Sequence, residues 1–395
     1  MGESLTEQGE MTTNAPRGDG MVGIGIVGLG VISRRYLDTL AGHPRARVAA
    51  VTDLDRSRAE AVVAQLPGAR VAAGLDALVA DPDVQVVLDL TTPGVHAHVA
   101  TACTAAGVDR YGEKPLAVDL AASREVMAAA TAAGTRVGCA PDTVLGTGVQ
   151  TARAAVADGR IGTPTAAVAT WVAPGHELWH PNPDFYYARG GGPLLDMGPY
   201  YLTSLVQILG PVAWVQGAAS RSRDERTIGS GPRAGERVPV EVATHVTGVL
   251  GHASGALSTV TVSFDAVGSY ARPIEVHGTA GSLVVPDPNR FDGDVELRTL
   301  DGGEWEVLPP SAGFVGAGRG IGLLEMVGAA GLGAAPASPR AGGDTGLHVM
   351  EVMTGLLDSA DSGRRVEIAT APAVPPLVPL TAEATWHGGR AEGAA

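Results

Sequence analysis

The sequence predicts an α/β domain with a doubly wound parallel sheet, followed by an α+β domain with a large, mostly antiparallel sheet. In the first part of the chain, short apolar runs alternate with amphipathic or alanine-rich segments, which is typical of parallel strands covered by helices on both faces. In the second part, closely spaced strand-like segments are joined by turn residues, which is typical of antiparallel pairing. With 395 residues, 45% hydrophobic and 18% charged, the chain has the composition of a globular protein with room for two or three domains.

The first domain is assigned to residues 21–142. Its apolar runs are predicted to be strands at 23–27, 48–52, 84–90 and 136–139. The segments between them are predicted to be helices near 34–41, 57–66, 95–106 and 121–133. Because parallel neighbours need a crossover connection, this alternation of strand and helix predicts one parallel sheet.

The second domain is assigned to residues 143–368. After a helix near 149–158, strands are expected at 165–173, 212–221, 238–250, 255–266, 273–278, 282–286, 294–299 and 304–308. Further helices are expected at 200–209 and near 347–359, the latter after a loop rich in glycine, alanine and proline at 328–343. Residues 1–20 are expected to form a disordered extension and residues 369–395 an irregular tail.

The charge balance excludes some classes of partner. Forty-two acidic residues against 28 basic ones give a net charge of −14, which argues against a nucleic-acid binder or a binder of anionic membranes. No apolar run reaches about 18 residues, so no membrane span is expected.

Two cysteines without CxxC spacing exclude a disulfide scaffold or a cysteine zinc site. His96 and His98 lack further ligands, so no metal is expected. A cytoplasmic location is expected.

A glycine-rich turn follows the first predicted strand. The turn reads Gly28-Leu29-Gly30-Val31-Ile32-Ser33 and leads into a predicted helix. Here Gly28 would make the tight turn, and Gly30 would let the backbone approach a pyrophosphate. The helix start at Val31 and Ile32 would then offer free N–H groups to the phosphates. The pattern predicts a dinucleotide-binding Rossmann domain.

The choice of cofactor is predicted from Asp53, which ends the second predicted strand. A carboxylate at this place can accept a hydrogen bond from a ribose 2′-hydroxyl and repels a 2′-phosphate, which favours NAD over NADP. Arg56 and Arg58 lie nearby and weaken that preference, so NADP remains possible. The alternative is that Asp53 caps the following helix.

Lys114 is the single lysine among the 28 basic residues. Pro115 disfavours helix at Lys114, and the segment follows a predicted helix, so Lys114 is expected at or just beyond the carboxyl end of a strand. In open parallel sheets this is the edge at which ligands bind. Lys114 is therefore predicted to lie where nicotinamide and substrate meet; the alternative is that compositional bias toward arginine left one lysine at a surface position.

These motifs resemble those of the Gfo/Idh/MocA family of sugar and cyclitol oxidoreductases, over about residues 22–365. The shared features are the glycine turn, the Thr-Thr-Pro segment at 91–93 with its histidine, the Glu-Lys-Pro segment at 113–115, and the glycine-rich segment 190–198. The resemblance implies hydride transfer between NAD(P) and a secondary hydroxyl or ketone of a sugar, sugar derivative or inositol. It also implies a homodimer or homotetramer formed through the second-domain sheet, whose bare face would otherwise need covering. The cofactor site that it implies comprises Thr91, Thr92, His96, Glu113 and Lys114.

The resemblance further implies a catalytic set. The family's lysine corresponds to Lys114, and its Asp and the His four residues later correspond to Asp196 and position 200, where this chain has Tyr200. Members similar to glucose–fructose oxidoreductase also use tyrosine there. Because Pro199 is tolerated in a first helical turn, the helix is predicted to begin near Asp196, which puts Asp196 and Tyr200 on one face.

The expected chemistry follows from these side chains. Lys114 is expected to hydrogen-bond the reacting oxygen and to lower the pKa of Tyr200 by stabilising its phenolate, while Asp196 orients a hydroxyl group. His180 is a second candidate base, in an aromatic loop whose Trp179 and Tyr186 are candidates for gripping a sugar. Alternatively, that loop packs onto the sheet. His96 is equally well explained as a structural residue, and Glu113 is expected to be a structural partner rather than a catalyst.

Two other functions remain open at this point. One is an NAD-assisted glycoside-cleaving enzyme, in which transient oxidation acidifies a neighbouring C–H bond and permits elimination. The other is a non-enzymatic sensor of sugar or NAD on the same fold.

Overall fold

The computed structural model describes residues 20–388, so the predicted extension at 1–20 lies almost wholly outside the described residues. In the described part of the chain, the first sheet has six strands in the order β3-β2-β1-β4-β5-β6, all paired in parallel. The strands are β1 Val22–Val27, β2 Ala46–Thr52, β3 Arg70–Val71, β4 Val86–Asp89, β5 Asp109–Gly112 and β6 Val137–Cys139. The strand order reverses between β1 and β4, and ligands bind at such a switch point. The predicted doubly wound sheet is confirmed.

The connecting helices of this sheet match the predicted ones closely. They are α1 Ser33–Leu40, α2 Arg56–Val63, α3 Leu75–Val79, α4 Pro93–Ala105 and α5 Leu120–Ala133. The prediction missed α3 and the strands β3 and β5. Strand β5 has no apolar run because Arg110 is buried in it, where its Nη2 pairs with Asp89 Oδ2 of β4 at 2.7 Å. The Asp89 carboxylate thus compensates the buried charge of Arg110. From the sequence alone, a charged residue at this position argues against a buried strand.

The second sheet has nine strands within the described residues, in the order β16-β15-β14-β13-β7-β12-β11-β8-β17. All its neighbours are antiparallel except the β7–β12 pair. The strands are β7 Pro164–Val172, β8 Val212–Ser220, β11 His245–His252, β12 Leu257–Ser263, β13 Ile274–Gly278, β14 Gly281–Val285, β15 Val295–Thr299, β16 Glu306–Leu308 and β17 Val366–Glu367. This confirms the predicted large, mostly antiparallel sheet.

The segment 238–250, predicted as one strand, is two. Strand β10 (Arg237–Pro239) pairs with β9 (Glu225–Thr227) in a separate ribbon, whereas β11 belongs to the large sheet. The two strands are separated at residues 240–244, where the N–H of Val240 still donates to the Asp224 carbonyl oxygen beside the ribbon and the N–H of Glu241 donates to the Tyr187 carbonyl oxygen, each at 2.8 Å. The prediction of a continuous strand is wrong because the backbone changes partners within this apolar segment.

Helices cover one face of the large sheet, where α6 Thr147–Ala157, α8 Gly192–Leu209 and α10 Gly343–Ser362 contact its strands. Three shorter helices follow the loops: α7 Asp184–Tyr187 contacts α8 and β10, α9 Ile321–Met326 contacts β6 of the first sheet, and α11 Glu383–Trp386 ends the described chain. Helix α8 is buried along most of its length, so it forms the centre of the core under the sheet. The last segment returns to the first domain, where His43 Nε2 lies 2.8 Å from the Trp386 carbonyl oxygen. Within residues 20–388, no helix is long and apolar enough to cross a membrane.

Candidate active site

The glycine turn lies at the switch point between β1 and β4. Gly28 has a φ of +87°, and a Cβ at Gly28 would lie 2.8 Å from the Leu90 carbonyl oxygen, so only glycine fits there. At Gly30, by contrast, a Cβ would meet no described atom within 4 Å. Val31 is 97% exposed, and Ile32 precedes the first residue of α1. The backbone at Gly30 thus borders open space at a helix start, which fits a pyrophosphate.

Asp53 holds this turn from the end of β2. Its Oδ2 accepts from the Leu29 N–H at 2.6 Å, and Arg58 Nη1 lies 3.3 Å from its Oδ1. The residue that caps α2 is Asp55, which accepts from the N–H groups of Ser57 and Arg58. The alternative assignment of Asp53 as a helix cap is therefore wrong, and Asp53 remains the candidate partner for a ribose.

The loop after β4 is tied to the segment that carries Lys114. Thr91 donates its hydroxyl to the buried Asp89 at 2.6 Å. The ring of His96 lies between two carbonyl groups, with Nδ1 2.7 Å from the Pro115 oxygen and Nε2 3.1 Å from the Thr91 oxygen. Because His96 is fully buried, the structural alternative for it is favoured. Thr92 precedes α4 and makes no side-chain cap bond.

Glu113 is a structural partner of the same segment. Its Oε1 accepts from the Tyr36 hydroxyl of α1 at 2.8 Å, and its Oε2 accepts from the Lys114 N–H at 3.1 Å. Helix α1, which starts at the glycine turn, is thereby fixed relative to Lys114.

Lys114 lies two residues after β5, and its side chain crosses to the second domain. Its Nζ donates to Asp196 Oδ1 at 2.8 Å and to the Asp196 carbonyl oxygen at 2.7 Å. Burial alone lowers the pKa of Lys114, but the negative charge of Asp196 raises it overall. Burial likewise raises the pKa of Asp196, yet Lys114 and His176 hold it at about 2. The pair is ionised at neutral pH.

Asp196 and Tyr200 lie one turn apart on α8, as expected, but the helix does not begin at Asp196. It begins at Gly192 with Pro193 in its first turn, and Pro199 lies inside it. The prediction took Pro199 as the first-turn proline, a position that Pro193 occupies. Pro199 cannot donate to the carbonyl one turn earlier, so the ladder is interrupted between the two candidate residues.

Tyr200 lies under two cations. The Nζ of Lys114 and the guanidinium carbon of Arg319 are each 5.4 Å from the centre of its ring. Burial nevertheless raises the pKa of Tyr200, and this outweighs the lowering by Lys114 and Arg319. Lys114 thus acts on the pKa of Tyr200 in the expected direction, but the net shift is upward, because the expectation did not take account of the loss of solvent around the phenol.

Two residues of the site escaped the sequence analysis. His176, in a short turn after β7, places Nε2 2.9 Å from Asp196 Oδ2. Arg319 lies in the loop before α9. Neither belongs to a motif, since each reaches α8 only through the packing of distant segments. Glycines adjoin both residues, but with 55 glycines in the chain their presence does not point to a functional site.

His176 is set in an aromatic cluster. Its ring centre lies 4.4 Å from that of Tyr186, 4.7 Å from Phe264, 5.1 Å from Trp179 and 5.9 Å from Trp171. Trp179 and Tyr186, the candidates for substrate binding, thus adjoin the site through His176.

His180 is not part of the charged cluster. Its Nδ1 accepts from the Asn182 N–H at 3.1 Å, and its ring packs against Trp179 and Tyr186. Burial lowers the pKa of His180. No contact between His180 and Lys114 or Asp196 is found among the described residues, so the structure brings together the other three catalytic candidates and leaves this one outside.

Comparison with known proteins decides the family. Residues 22–140 match the family described as "Oxidoreductase family, NAD-binding Rossmann fold", and residues 149–284 match the "GFO/IDH/MocA C-terminal domain". The chain belongs to the GFO/IDH/MocA family. It is accordingly an oxidoreductase that uses NAD.

Relatives in the GFO/IDH/MocA family span most of the chain. The chain is 27% identical to the 1,5-anhydro-D-fructose reductase of Ensifer adhaerens over 88% of this chain and 98% of that protein. It is 26% identical to the inositol 2-dehydrogenase of Rhizobium meliloti (strain 1021) over 71% of this chain and 80% of that protein. An NAD binding oxidoreductase from Klebsiella pneumoniae superposes with a TM-score of 0.76 at 25% identity, covering 89% of this chain and 99% of that one.

The charged cluster of this GFO/IDH/MocA member can hold and move a proton. An ammonium group has three N–H donors, and Asp196 takes two of those of Lys114, which leaves one for an oxygen of a ligand or of Tyr200. Tyr200 can exchange a proton with a hydroxyl or carbonyl oxygen in contact with it. These are the two requirements of an alcohol–ketone interconversion beside a hydride carrier.

Proposed function

We propose that the protein transfers a hydride between NAD and a secondary hydroxyl or ketone of a sugar, sugar derivative or inositol. The observation that carries this proposal is the cluster of Lys114, Asp196 and Tyr200 beside the carboxyl edge of the first sheet. The names of the two relatives support the substrate class, since one acts on an anhydrofructose and the other on inositol.

The cofactor fits the residues around the glycine turn. The backbone from Gly30 to Ile32 would hold the pyrophosphate, and Asp53 a ribose hydroxyl. The nicotinamide, when bound, supplies the hydride acceptor or donor. The open space at Gly30 beside the start of α1 supports this assignment.

The protein's own residues would handle the proton. In reduction, Tyr200 donates its phenolic proton to the carbonyl oxygen while the free N–H of Lys114 stabilises the charge that develops there. In oxidation, the phenolate of Tyr200 accepts the hydroxyl proton. Asp196 holds Lys114 in place and keeps it charged, and the remaining lone pairs of its two carboxylate oxygens can accept from a hydroxyl group of the substrate and orient it.

The decisive test replaces Lys114. Lys114→Ala is expected to lower turnover by about 10²- to 10⁴-fold, the usual contribution of one acid–base or charge-stabilising group, while NADH binding survives. The measurement is NAD or NADP reduction across a panel of sugars, glycosides and inositols, with NADH binding followed by fluorescence. Wild-type turnover in the variant would remove Lys114 from the mechanism.

The same panel separates the alternative activity. Release of an aglycone from a glycoside without net NADH formation would support NAD-assisted glycoside cleavage instead of net redox chemistry.

We also propose that the large sheet joins two copies of the chain in a homodimer or homotetramer. Val249 of β11, Thr259 of β12 and Val168 of β7 are cross-strand neighbours on the face opposite the helices. Val249 and Val168 are 37% and 39% exposed, and an apolar row in the middle of a large sheet face favours contact with a second copy.

A further inference from the structure

Arg319 comes from a part of the chain remote from the family motifs, yet it reaches the centre of the site. It lies between β16 and α9, and its guanidinium carbon is 5.4 Å from the centre of the Tyr200 ring. Lys114 Nζ lies at the same distance from that ring. Tyr200 is therefore contacted by two cations, one from each domain.

The position of Arg319 is fixed by its surroundings. Its Nη2 donates to Asn289 Oδ1 at 2.8 Å, from the loop between β14 and β15. The backbone that follows is anchored too, because the N–H groups of Gly320 and Gly322 donate to Asp142 Oδ2 at 2.7 and 3.1 Å. The guanidinium is thus held against the ring from two sides.

The charge of Arg319 acts on Tyr200 and on neighbouring groups of the protein. Among the described residues, no carboxylate forms an ion pair with Arg319, whereas Lys114 is neutralised by its direct contact with Asp196. The Nη1 of Arg319 is buried without a hydrogen-bond partner in the described part of the chain. Its charge acts most strongly on Tyr200, and also on Glu113, Tyr36 and Asp142.

We infer that Arg319 is a positioning residue for proton transfer, which stabilises the phenolate form of Tyr200 together with Lys114. This inference rests on the proposed role of Tyr200 in the reaction. A guanidinium suits the place because it stacks on an aromatic face, where its attraction grows when the ring oxygen becomes negative. It also keeps its charge at every pH at which the enzyme works.

Several charged or titratable groups act on the pKa of Tyr200, and Arg319 is one of those that lower it. They are Lys114 and Glu113 beside β5, Asp196 on the same helix, Tyr186 of α7, and Arg319. Burial raises the pKa of Tyr200; Lys114 and Arg319 lower it, and Glu113 and Asp196 raise it. Without Arg319, only Lys114 would oppose the effect of burial on the pKa of Tyr200, and Lys114 is already paired with Asp196.

The experiment compares Arg319→Met with Arg319→Lys in the full chain. The titration of Tyr200 is isolated as the ultraviolet tyrosinate signal of each protein minus that of the same protein carrying Tyr200→Phe. In Arg319→Met the Tyr200 titration is expected to move to higher pH by about one unit, a roughly ten-fold loss of phenolate at a given pH. In Arg319→Lys, which keeps the charge, most of that shift is expected to be absent.

Arg290→Met is the matched control, since Arg290 is 72% exposed and lies next to Asn289. It is expected to leave the titration unchanged. An unchanged Tyr200 titration in folded Arg319→Met protein would overturn the inference. If Arg319→Met does not fold, Asn289→Ala serves instead: loosening the guanidinium while keeping it should raise the Tyr200 titration by a smaller amount, and no shift there would also overturn the inference.

The spectroscopic readout needs no substrate, which separates this inference from the proposed function. A normal shift in a protein that oxidises no polyol would reject the proposed function and leave the Arg319–Tyr200 interaction standing. If turnover depends on Tyr200 but not on Arg319, and the Tyr200 titration does not move in Arg319→Met, the proposed function stands and the role of Arg319 is rejected.

Discussion

At the residue scale, the site is organised around a single carboxylate. Asp196 binds Lys114 of the first domain through one oxygen and His176 of the second through the other. Lys114 also takes the backbone oxygen of Asp196, so the ammonium has little freedom to move. The chemistry of Tyr200 therefore depends on how Asp196 and His176 fix the ammonium beside it.

His176 offers a direct test of this dependence. His176→Ala leaves a buried oxygen of Asp196 unpaired, which costs about 1–3 kcal/mol and is expected to lower kcat/KM by roughly 5- to 150-fold. His176→Gln retains an N–H donor and is expected to recover most of the loss. Steady-state kinetics of both variants, beside the control His98→Ala on the exposed face of α4, provide the measurement. Equal losses in His176→Gln and His176→Ala would instead assign the imidazole a direct part in proton transfer.

The raised pKa of Tyr200 sets the pH dependence of the two directions. Below that pKa the phenol is protonated and able to donate, so reduction is expected to be fast at neutral pH and to fall in the alkaline range. Oxidation needs the phenolate, so its kcat/KM is expected to keep rising past the ordinary tyrosine value of about 10. Tyr200→Phe should abolish this alkaline limb in pH profiles of both directions. If the pH profile instead changes near the ordinary pKa of histidine, and this change is lost in His180→Ala, then His180 is the base.

At the element scale, the strand–turn–helix unit from β1 to α1 was predictable because each of its parts has a local cause. A continuous apolar run makes the buried strand, and the glycine at 28 has both a positive φ and a close neighbour. Strand β5 was not predictable, because Arg110 becomes compatible with a buried strand only when Asp89 lies beside it. The start of α8 was misplaced since two prolines six residues apart both suit a first turn, and only tertiary packing selects Pro193.

The same reasoning explains which site residues were found. Lys114, Asp196 and Tyr200 lie in short segments whose spacing is visible along the chain. His176 and Arg319 meet them only because β7 and the loop before α9 end at the same place in space, and no local pattern encodes that meeting.

The two glycines of the turn are expected to respond differently to the same substitution. Gly28→Ala forces a Cβ against the Leu90 carbonyl at a positive φ, so a loss of about 1–3 kcal/mol in the free energy of unfolding is expected. Gly30→Ala meets no described atom and should unfold like the wild type, but it should weaken NADH binding at least ten-fold by blocking the approach of the pyrophosphate. Thermal unfolding and NADH fluorescence titration distinguish the two. Normal NADH affinity in Gly30→Ala would move the cofactor away from this turn.

At the scale of the whole molecule, the face of the nine-stranded sheet opposite the helices is the proposed interface with a second copy of the chain. The double variant Val168→Glu with Val249→Glu places charges in the middle of that face and is expected to give a monomer of about 40 kDa in light scattering. Val267→Glu, an equally charged change in the loop after β12, is the control and should leave the oligomer intact. A wild-type protein that is already monomeric would contradict the proposal.

The end of the described chain bears on how the cleft can work. Trp386 is buried, its carbonyl faces His43 in the first domain, and its indole N–H donates to the Val315 carbonyl in the second at 2.9 Å. A hinge motion that parted the two sheets would have to pull this indole into water, and tryptophan is among the costliest side chains to expose. We therefore expect the two domains to keep their relative position when a substrate binds, and substrates to be selected by their fit to the site rather than by closure of the domains around them.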